Sequence, residues 1–436
     1  MQKFYISADA RAHETHKKHN FVPAAQPPVP DPLGKNAKSV YPPALVDVPA
    51  LVRSGRLERY ALQNSARSLL LGAGKRAGLQ YPANYHRACK CKYVRHGGDG
   101  VSVLQSQGRA FYGNLVTCGS IWVCTICGAK IQERRRQEIA QAIEWAHKNG
   151  HQPMMVTFTF PHKSWQKLGD LLKMQAKALK LLRTGSPWQR FIERMKYEGL
   201  IRSLELTHGR AAWHPHTHEL WFLDSAADAE KVRTEVSKMW ASACARAGLL
   251  DLNNAAQVDA FEVHAVDVIG NCSTSDYLAK MDDSKHWGAD RELAKATSKK
   301  GRASGKHPFG LLADYAAGDQ RAGRLFLAYA IATKGKRQIF WSRGLKARVG
   351  VGEVSDEVLA EQEREEASVL GMLADEDWQL VREAGQRAQL LNAAEVGGWQ
   401  AVEGLLVEII SGAVARYERL LGRGGGDTSQ AQAAAP

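Results

Sequence analysis

Three histidines alternate along one short stretch, Trp-His-Pro-His-Thr-His-Glu-Leu-Trp-Phe, which begins at Trp213. If this stretch is a β-strand, His214, His216 and His218 project from one face, because successive side chains on a strand point to opposite faces. Neutral imidazoles side by side pack poorly in a core but ligate metals well, so the pattern predicts a metal site. A surface cluster of histidines without a ligand is the alternative. A nucleotide hydrolase of the histidine-triad type is disfavoured, because that pattern has apolar residues between and after the histidines.

Glu205 could supply a carboxylate ligand to the same site. It stands between two leucines and should therefore face away from them on a strand. If residues 201–207 and 216–223 form two strands of a hairpin through Gly209 and pair in register, this carboxylate reaches the histidines. Two histidines and one carboxylate suit Mg²⁺ or Mn²⁺. The geometry of the site and the availability of the metal favour these ions more than their intrinsic affinity does.

Five of the seven cysteines lie within 39 residues. Cys124 and Cys127 have the two-residue spacing that lets both sulfurs reach one zinc ion at about 2.3 Å. The first residues contain no apolar stretch typical of a secretion signal, which disfavours disulfides. The cluster predicts a structural Zn²⁺ site that Cys118 and either Cys89 or Cys91 would complete. The alternative is one Cys-x-x-Cys motif among unrelated cysteines.

The charge is distributed unevenly along the 436 residues, whose formal net charge is +14. Residues 284–350 carry a net +11 and residues 351–436 a net −10, so residues 1–350 carry +24. Basic clusters with interleaved aromatics favour contact with DNA phosphates and unpaired bases, although core packing of the aromatics is equally compatible. The basic candidates are Lys299, Lys300, Arg302, Lys334, Lys336 and Arg337, and the aromatics are Phe326, Tyr329, Phe340 and Trp341.

Hydrophobic periodicity predicts an α+β domain with a central, mainly antiparallel sheet flanked by helices. Predicted helices cover 129–148, 225–247 and 274–283, and predicted strands cover 154–160, 201–207, 216–223 and 260–266. The acidic region is predicted to form helices near 355–372, 374–392 and 396–421. No run of 18–20 apolar residues occurs, so no membrane partner is expected and the protein is predicted to be cytoplasmic.

Three motifs follow one another along the chain: Met-Val-Thr-Phe-Thr-Phe-Pro-His from Met155, the histidine strand, and Tyr-Leu-Ala-Lys from Tyr277. In this order they resemble the three motifs of HUH endonucleases, and most closely those of rolling-circle plasmid replication initiators. The cysteine segment and the run from Arg337 to Leu345 extend the resemblance over roughly residues 85–350. It implies that His216, His218 and Glu205 bind the catalytic metal with His214 as a neighbour or alternate ligand, that Tyr277 is the nucleophile and that Lys280 supports it electrostatically.

The resemblance implies an enzyme that nicks one strand of origin DNA and rejoins it after replication. A 5′-phosphotyrosine link would form and leave a free 3′-OH for a polymerase. Position 281 is Met281, where some relatives have a second tyrosine, and position 273 is Ser273, where others have a glutamate. A single-tyrosine enzyme is therefore expected. Its expected partners are single-stranded or cruciform origin DNA and the host helicase and polymerase.

Two other functions are compatible with these residues. A transposase or mobilisation relaxase could use the same site, and a non-catalytic zinc-containing DNA-binding regulator could use the histidines structurally. The acidic region could contact a host replication protein or a second copy of this chain, or simply complete a domain. The expected organisation is a Pro-rich arm (1–75), a Cys-rich zinc segment and helix (76–150), an HUH nicking and joining domain with a basic extension (151–350), an acidic helical region (351–421) and a disordered tail (422–436).

Overall fold

The computed structural model describes residues 48–78, 86–210, 212–273, 305–361 and 367–423. These residues form a mixed α/β structure in which helices flank antiparallel sheets. The coarse prediction of antiparallel sheet and flanking helices is therefore confirmed. Within the same ranges, no helix combines the length and the apolar character needed to cross a bilayer.

The elements are numbered in chain order over the described residues. The strands are β1 (Val101–Ser106), β2 (Arg109–Tyr112), β3 (His151–Phe158), β4 (Gly199–Gly209), β5 (Ala212–Asp224), β6 (Val266–Ile269), β7 (Ile339–Trp341) and β8 (Ser368–Leu373). The longer helices are α1 (Val48–Arg76), α2 (Thr125–Lys148), α3 (Leu168–Leu182), α4 (Ser186–Arg194), α5 (Ala229–Ala247) and α6 (Ala255–His264). They are followed by α7 (Pro308–Ala316), α8 (Gln320–Thr333), α9 (Leu345–Val349), α10 (Asp356–Glu361), α11 (Asp375–Glu383) and α12 (Arg387–Arg423).

The larger sheet has five strands in the order β6-β3-β5-β4-β7, and all neighbouring pairs are antiparallel. Its two faces are covered by different helices. Met155, Leu220 and Phe222 pack with α2 and α9 on one face. Met154 and Trp221, one residue away along the strands, pack with α3 and α5 on the other face. Burial on both faces fixes the strand register, because a one-residue slip would exchange the two sets of side chains.

The smaller sheet has the order β2-β1-β8 and corrects one prediction in the acidic region. Residues near 355–372 were predicted to be helical, but Ser368–Leu373 is a strand that pairs with β1 across more than 250 residues of sequence. Gly371 lies against Trp399, and a Cβ at position 371 would come within 2.3 Å of the indole ring. The strand therefore depends on distant partners that local periodicity does not reveal.

Two further predictions differ from the structure. Residues 260–266 were predicted to be a strand, but α6 extends to His264 and β6 begins at Val266. The side chain of Asn254 caps α6 by accepting a hydrogen bond from the Gln257 amide at 3.1 Å, which favours the helix. Residues 1–75 were predicted to be a Pro-rich arm, but residues 48–76 form helix α1, so the arm can include only residues before 48. That arm, the helix predicted at 274–283 and the tail after Arg423 lie outside the described residues.

Candidate active site

The β4–β5 hairpin brings a carboxylate and two imidazoles together. Glu205 lies opposite His216 in the strand ladder, and His218 follows two residues later on the same face of β5. Each of the three offers one ligand atom, and these atoms all lie within 4.8 Å of one another. The ligand atoms around one divalent ion lie roughly 3–4 Å apart when each bond is about 2.1 Å. The predicted in-register pairing is thus confirmed, and it produces a group that could hold a metal ion.

The hydrogen bonds of His218 indicate that this group is suited to a cation. Its Nδ1 lies 3.1 Å from the hydroxyl of Thr157 on β3, and its Nε2 lies 2.8 Å from a Glu205 carboxylate oxygen. Nε2–H donates to the carboxylate when Nδ1 accepts from the Thr157 hydroxyl. In the other tautomer Nδ1–H donates to Thr157, and the Nε2 lone pair is then available to a cation that also contacts the carboxylate. Nδ1 of His216 lies 3.7 Å from the same carboxylate oxygen, and its buried Nε2 has no hydrogen-bond partner among the described residues.

The protonation states favour ligation. Burial would raise the pKa of Glu205, but hydrogen bonds from His216 and His218 outweigh burial and hold it well below its usual value. Burial, with the neighbouring His216 and His162, lowers the pKa of His214 to about 3. The carboxylate is therefore ionised and His214 is neutral at neutral pH, and these are the forms in which such groups bind metals.

His214 was predicted to be a neighbour of the metal ligands or an alternate ligand. It lies beside the group of Glu205, His216 and His218 rather than within it. Its ring is 4.2 Å from that of His216, centroid to centroid, and its Nδ1 is hydrogen-bonded to Nε2 of His162. Burial lowers the pKa of His162 to about 4, so this imidazole is also neutral at neutral pH. The motif that begins at Met155 ends at His162, but the sequence pattern indicated no role for this residue.

Four cysteines form a second group near the start of α2. The Sγ atoms of Cys91 and Cys127 are 3.4 Å apart, those of Cys118 and Cys127 are 3.7 Å apart, and those of Cys124 and Cys91 are 3.6 Å apart. Sulfurs around one tetrahedral zinc ion with bonds of about 2.3 Å are separated by roughly 3.8 Å, so the group has the dimensions of such a site. The distances are far longer than a disulfide bond, and all four thiols are free.

The four thiols are linked by hydrogen bonds that separate their pKa values. These hydrogen bonds hold the pKa of Cys127 well below its usual value and, together with burial, hold the pKa values of Cys118 and Cys124 well above theirs. The backbone amide of Ser120 donates to the Cys118 sulfur at 3.4 Å, and the side-chain amide of Gln63 on α1 lies 3.9 Å from the Cys124 sulfur. Donors around the sulfurs stabilise negative charge and orient the ligands.

The structure distinguishes between the two candidates for the fourth cysteine ligand. Cys91 belongs to the four-cysteine group, whereas Cys89 does not. Cys89 ends a short 3₁₀ helix, and burial raises the pKa of its thiol to about 11. Because its sulfur lies outside the four-cysteine group, Cys89 is not placed to bind the same ion. The coarse prediction of a cysteine cluster in this segment is confirmed, and the cluster could hold a metal ion.

The remaining predicted site residues fall into two sets. Lys334 and Arg337 are exposed and Lys336 is half-buried in the connection between α8 and β7. On β7 itself, Phe340 is exposed and Trp341 is half-buried. Phe326 and Tyr329 are buried on α8, so they belong to the core and cannot stack on bases in this arrangement. Tyr277, Lys280, Lys299, Lys300 and Arg302 lie outside the described residues.

The fold and the two residue groups together define an α/β protein with two candidate metal centres, one of histidine and glutamate and one of cysteine. Residues 114–384 match the replication protein family, and because this match covers more than half of the chain, the chain belongs to that family. No solved structure matches the chain.

Two curated relatives come from Streptomyces. The chain is 29% identical over 315 residues to "Protein rep" of Streptomyces lividans, a stretch that covers 58% of this chain and 68% of that protein. It is 33% identical over 132 residues to "Neomycin resistance protein" of Streptomyces cyanogenus, which covers 24% of this chain and 30% of that protein. The first similarity accords with the replication family, and the second is too short to describe the whole chain.

Proposed function

We propose that this chain initiates rolling-circle replication of a plasmid by nicking one strand of origin DNA and rejoining it later. Membership of the replication protein family supports the replication role. The observation that carries the nicking role is the position of Glu205 opposite His216, with His218 beside them. Glu205 supplies a negative charge, and the three ligand atoms lie close enough together to surround a divalent ion.

The residues of the chain would divide the chemistry between them. Glu205, His216 and His218 would hold Mg²⁺ or Mn²⁺, which when bound polarises the scissile phosphate and orients it. Thr157 fixes the ring of His218 through its hydrogen bond to Nδ1. Tyr277 would attack in line, because a positioned hydroxyl next to a polarised phosphate needs no separate water or nucleotide cofactor.

The proposed step conserves atoms and bond energy. The phenol of Tyr277 releases its proton to solvent, and its oxygen forms a bond to phosphorus while the bond from phosphorus to the 3′ oxygen breaks. The 3′ oxygen takes up a proton from solvent and becomes a hydroxyl that a polymerase can extend, and the 5′ phosphate remains on the tyrosine. Attack by a 3′-hydroxyl on this phosphotyrosine reverses the step and rejoins the strand. Lys280 would offset the charge that develops during each transfer.

The other regions would serve this reaction. We assign a structural zinc ion to Cys91, Cys118, Cys124 and Cys127, since their spacing matches a closed tetrahedral site. Lys334, Lys336 and Arg337 would contact origin DNA with Lys299, Lys300 and Arg302. Within the predicted organisation, the nicking domain would span 151–350, and the host helicase and polymerase would act on the nicked origin.

A covalent-adduct assay tests the proposal. The full chain is incubated with Mn²⁺ and a single-stranded oligonucleotide from the origin of the replicon that encodes it, and denaturing gels detect a protein–DNA adduct. The wild type should form the adduct and Tyr277→Phe should not, whereas the exposed control Tyr417→Phe should behave like the wild type. No adduct with the wild type, or an adduct retained by Tyr277→Phe, would overturn the proposal. Replication of an origin-bearing plasmid when the gene is supplied in trans separates an initiator from a transposase or mobilisation relaxase.

A further inference from the structure

A cavity of about 700 Å³ opens on the face of the larger sheet opposite the histidines. It lies between α3 and α4 on one side and the edge formed by β4 and β7 on the other. Arg202 and Leu204 point into it from β4, whereas Glu205, the residue after Leu204, faces the histidines on the other side of the sheet. The volume is in the range that small-molecule ligands occupy, so the cavity can enclose a ligand the size of one nucleotide.

The charges around the cavity indicate an anionic ligand. Among the described residues, six of the lining side chains are basic and none is acidic. The buried carboxylate of Glu219, beneath the cavity, pairs with two of these basic side chains, Arg183 and Arg202. One carboxylate does not balance six basic side chains, so an excess of positive charge remains. The basic lining residues are Lys180, Arg183, Arg202, Lys336, Arg337 and Arg343.

The cavity also offers an aromatic surface and unused hydrogen-bonding atoms. Phe340 on β7 is 40% exposed, and its ring centroid lies 5.3 Å from the guanidinium carbon of Arg202. Among the described residues, the buried Nε–H of Arg183 has no acceptor and the buried Oε1 of Gln338 has no donor. Buried polar atoms are nearly always paired in native proteins, so this donor and this acceptor point to a ligand that offers both.

We infer that this cavity binds a nucleotide of single-stranded DNA. A nucleobase has a flat face that can stack on Phe340 and an edge that carries both donors and acceptors for Gln338 and Arg183. The phosphates of the DNA strand would contact exposed basic side chains at the rim of the cavity, such as Lys180 and Arg337. A simple anion would use the positive charge but would leave the aromatic ring and the amide oxygen without a role.

The position of the cavity suggests how a single DNA strand could reach it. This part of the inference rests on the proposed function, since it takes as the ligand the DNA strand that is held at the histidine site. β7 is the edge strand, two positions from β5 in the sheet order. Adjacent β-strands are about 4.8 Å apart, so a DNA strand that leaves the histidines crosses roughly 10 Å of sheet before it turns over the edge. The cavity would then hold a base displaced from the nicking site and fix the register of the strand.

A binding assay without added Mg²⁺ or Mn²⁺ tests this inference independently of nicking. Fluorescence anisotropy measures the affinity of the full chain for a labelled single-stranded 20-mer of mixed sequence. Phe340→Ala should weaken binding about 5- to 100-fold, the usual effect of losing one base–aromatic stack, and Phe340→Trp should retain it. Lys180→Ala should weaken binding and reduce the slope of log affinity against log salt by about 0.7. The matched controls are Tyr417→Ala, an exposed aromatic elsewhere, and Lys177→Ala, an exposed lysine on the same helix outside the cavity.

Each outcome supports or overturns the inference. Weakened binding by the cavity variants, with unchanged binding by both controls, supports it. If Phe340→Ala and Lys180→Ala bind the 20-mer as the controls do, the cavity does not hold DNA. If free deoxynucleoside monophosphates bind to the wild type but not to Phe340→Ala, while 20-mer binding is unchanged, the cavity is a site for free nucleotides and the DNA assignment is wrong. Because no catalytic metal is added, loss of the covalent adduct and loss of this binding are separate results.

Discussion

Glu205 lies directly opposite His216 in the antiparallel ladder between β4 and β5. Backbone hydrogen bonds therefore set the distance between the carboxylate and the histidine strand. A slip of one residue would turn Glu205 to the opposite face, toward the cavity, and would dismantle the metal group. Core residues on both faces of β5, such as Leu220 and Trp221, oppose such a slip because they are fully buried.

Glu205→Gln should greatly reduce divalent-ion binding. The substitution keeps the size of the side chain but removes the negative charge that balances the ion. We expect a loss larger than the roughly 10- to 100-fold that removal of an outer-shell partner causes. Calorimetric titration with Mn²⁺ measures it, and Glu198→Gln, at a partly exposed position just before β4, is the control. Equal Mn²⁺ affinity in Glu205→Gln and the wild type would show that Glu205 is not a ligand.

The histidine–glutamate group could be predicted from the sequence because the pattern that places these residues together is local. Alternation along a strand and a short hairpin place Glu205 beside His216 without reference to the rest of the chain. The role of Thr157 could not be predicted in the same way. It depends on the pairing of β3 with β5, in which Thr157 lies opposite His218 although 61 residues separate them.

The fourth cysteine ligand illustrates the same limit. Cys89 and Cys91 are two residues apart and equally plausible from spacing alone. The choice depends on the 3₁₀ turn at Arg87–Cys89 and on the positive φ of 47° at Lys92, which together direct the chain so that Cys91 faces the other cysteines. The strand at 368–373 was likewise missed because its partner, β1, is distant in sequence.

Thr157→Val should weaken metal binding or nicking by about 10- to 100-fold without unfolding the protein. Valine fits the strand but cannot accept the hydrogen bond from Nδ1 of His218, so the imidazole loses its fixed orientation. Mn²⁺ titration and the rate of adduct formation are the measurements. Thr159→Val is the matched control, because its hydroxyl donates to the backbone oxygen of His264 instead of a ligand. Equal losses in the two variants would contradict a specific role for Thr157.

Cys124→Ser should abolish stoichiometric zinc and destabilise the protein. A serine hydroxyl does not replace a thiolate ligand, and for a structural zinc site the binding free energy is part of the folding free energy. Elemental analysis of the purified protein gives zinc per chain, and a thermal scan gives Tm. A variant that retains one zinc per chain with an unchanged Tm would show that Cys124 is not a ligand.

Cys89→Ser is the matched comparison for Cys124→Ser and tests which cysteines bind zinc. Cys89 is 3% exposed and Cys124 is fully buried, so both substitutions place a hydroxyl in a core. Only Cys124 belongs to the four-cysteine group. Cys89→Ser should therefore keep one zinc per chain and lose a modest amount of stability. If Cys89→Ser loses the metal and Cys91→Ser keeps it, the assignment of the fourth ligand is wrong.

Glu219→Gln should lower the free energy of unfolding at neutral pH and make it less sensitive to acid. Glu219 is fully buried and accepts hydrogen bonds from Arg202 at 2.7 Å and from the Trp221 indole at 2.7 Å, and it also pairs with Arg183. Burial would raise the pKa of Glu219, but the two arginines outweigh burial and lower it. Breaking such a buried pair costs about 3–5 kcal/mol, because two arginines lose their counter-charge.

The sign of the pH effect follows from the lowered pKa. The stabilisation is complete above the unfolded-state pKa of about 4.3 and is lost as the pH falls through the lower pKa of the folded state. The difference in unfolding free energy between the wild type and Glu219→Gln should thus be largest at pH 7 and shrink below about pH 4. Urea denaturation at pH 7, 5, 4 and 3 measures it. Glu230→Gln, which removes a fully exposed pair with Arg233, should have little effect at any of these pH values. A difference that stays constant from pH 7 to pH 3 would contradict an ionised Glu219 in the folded protein.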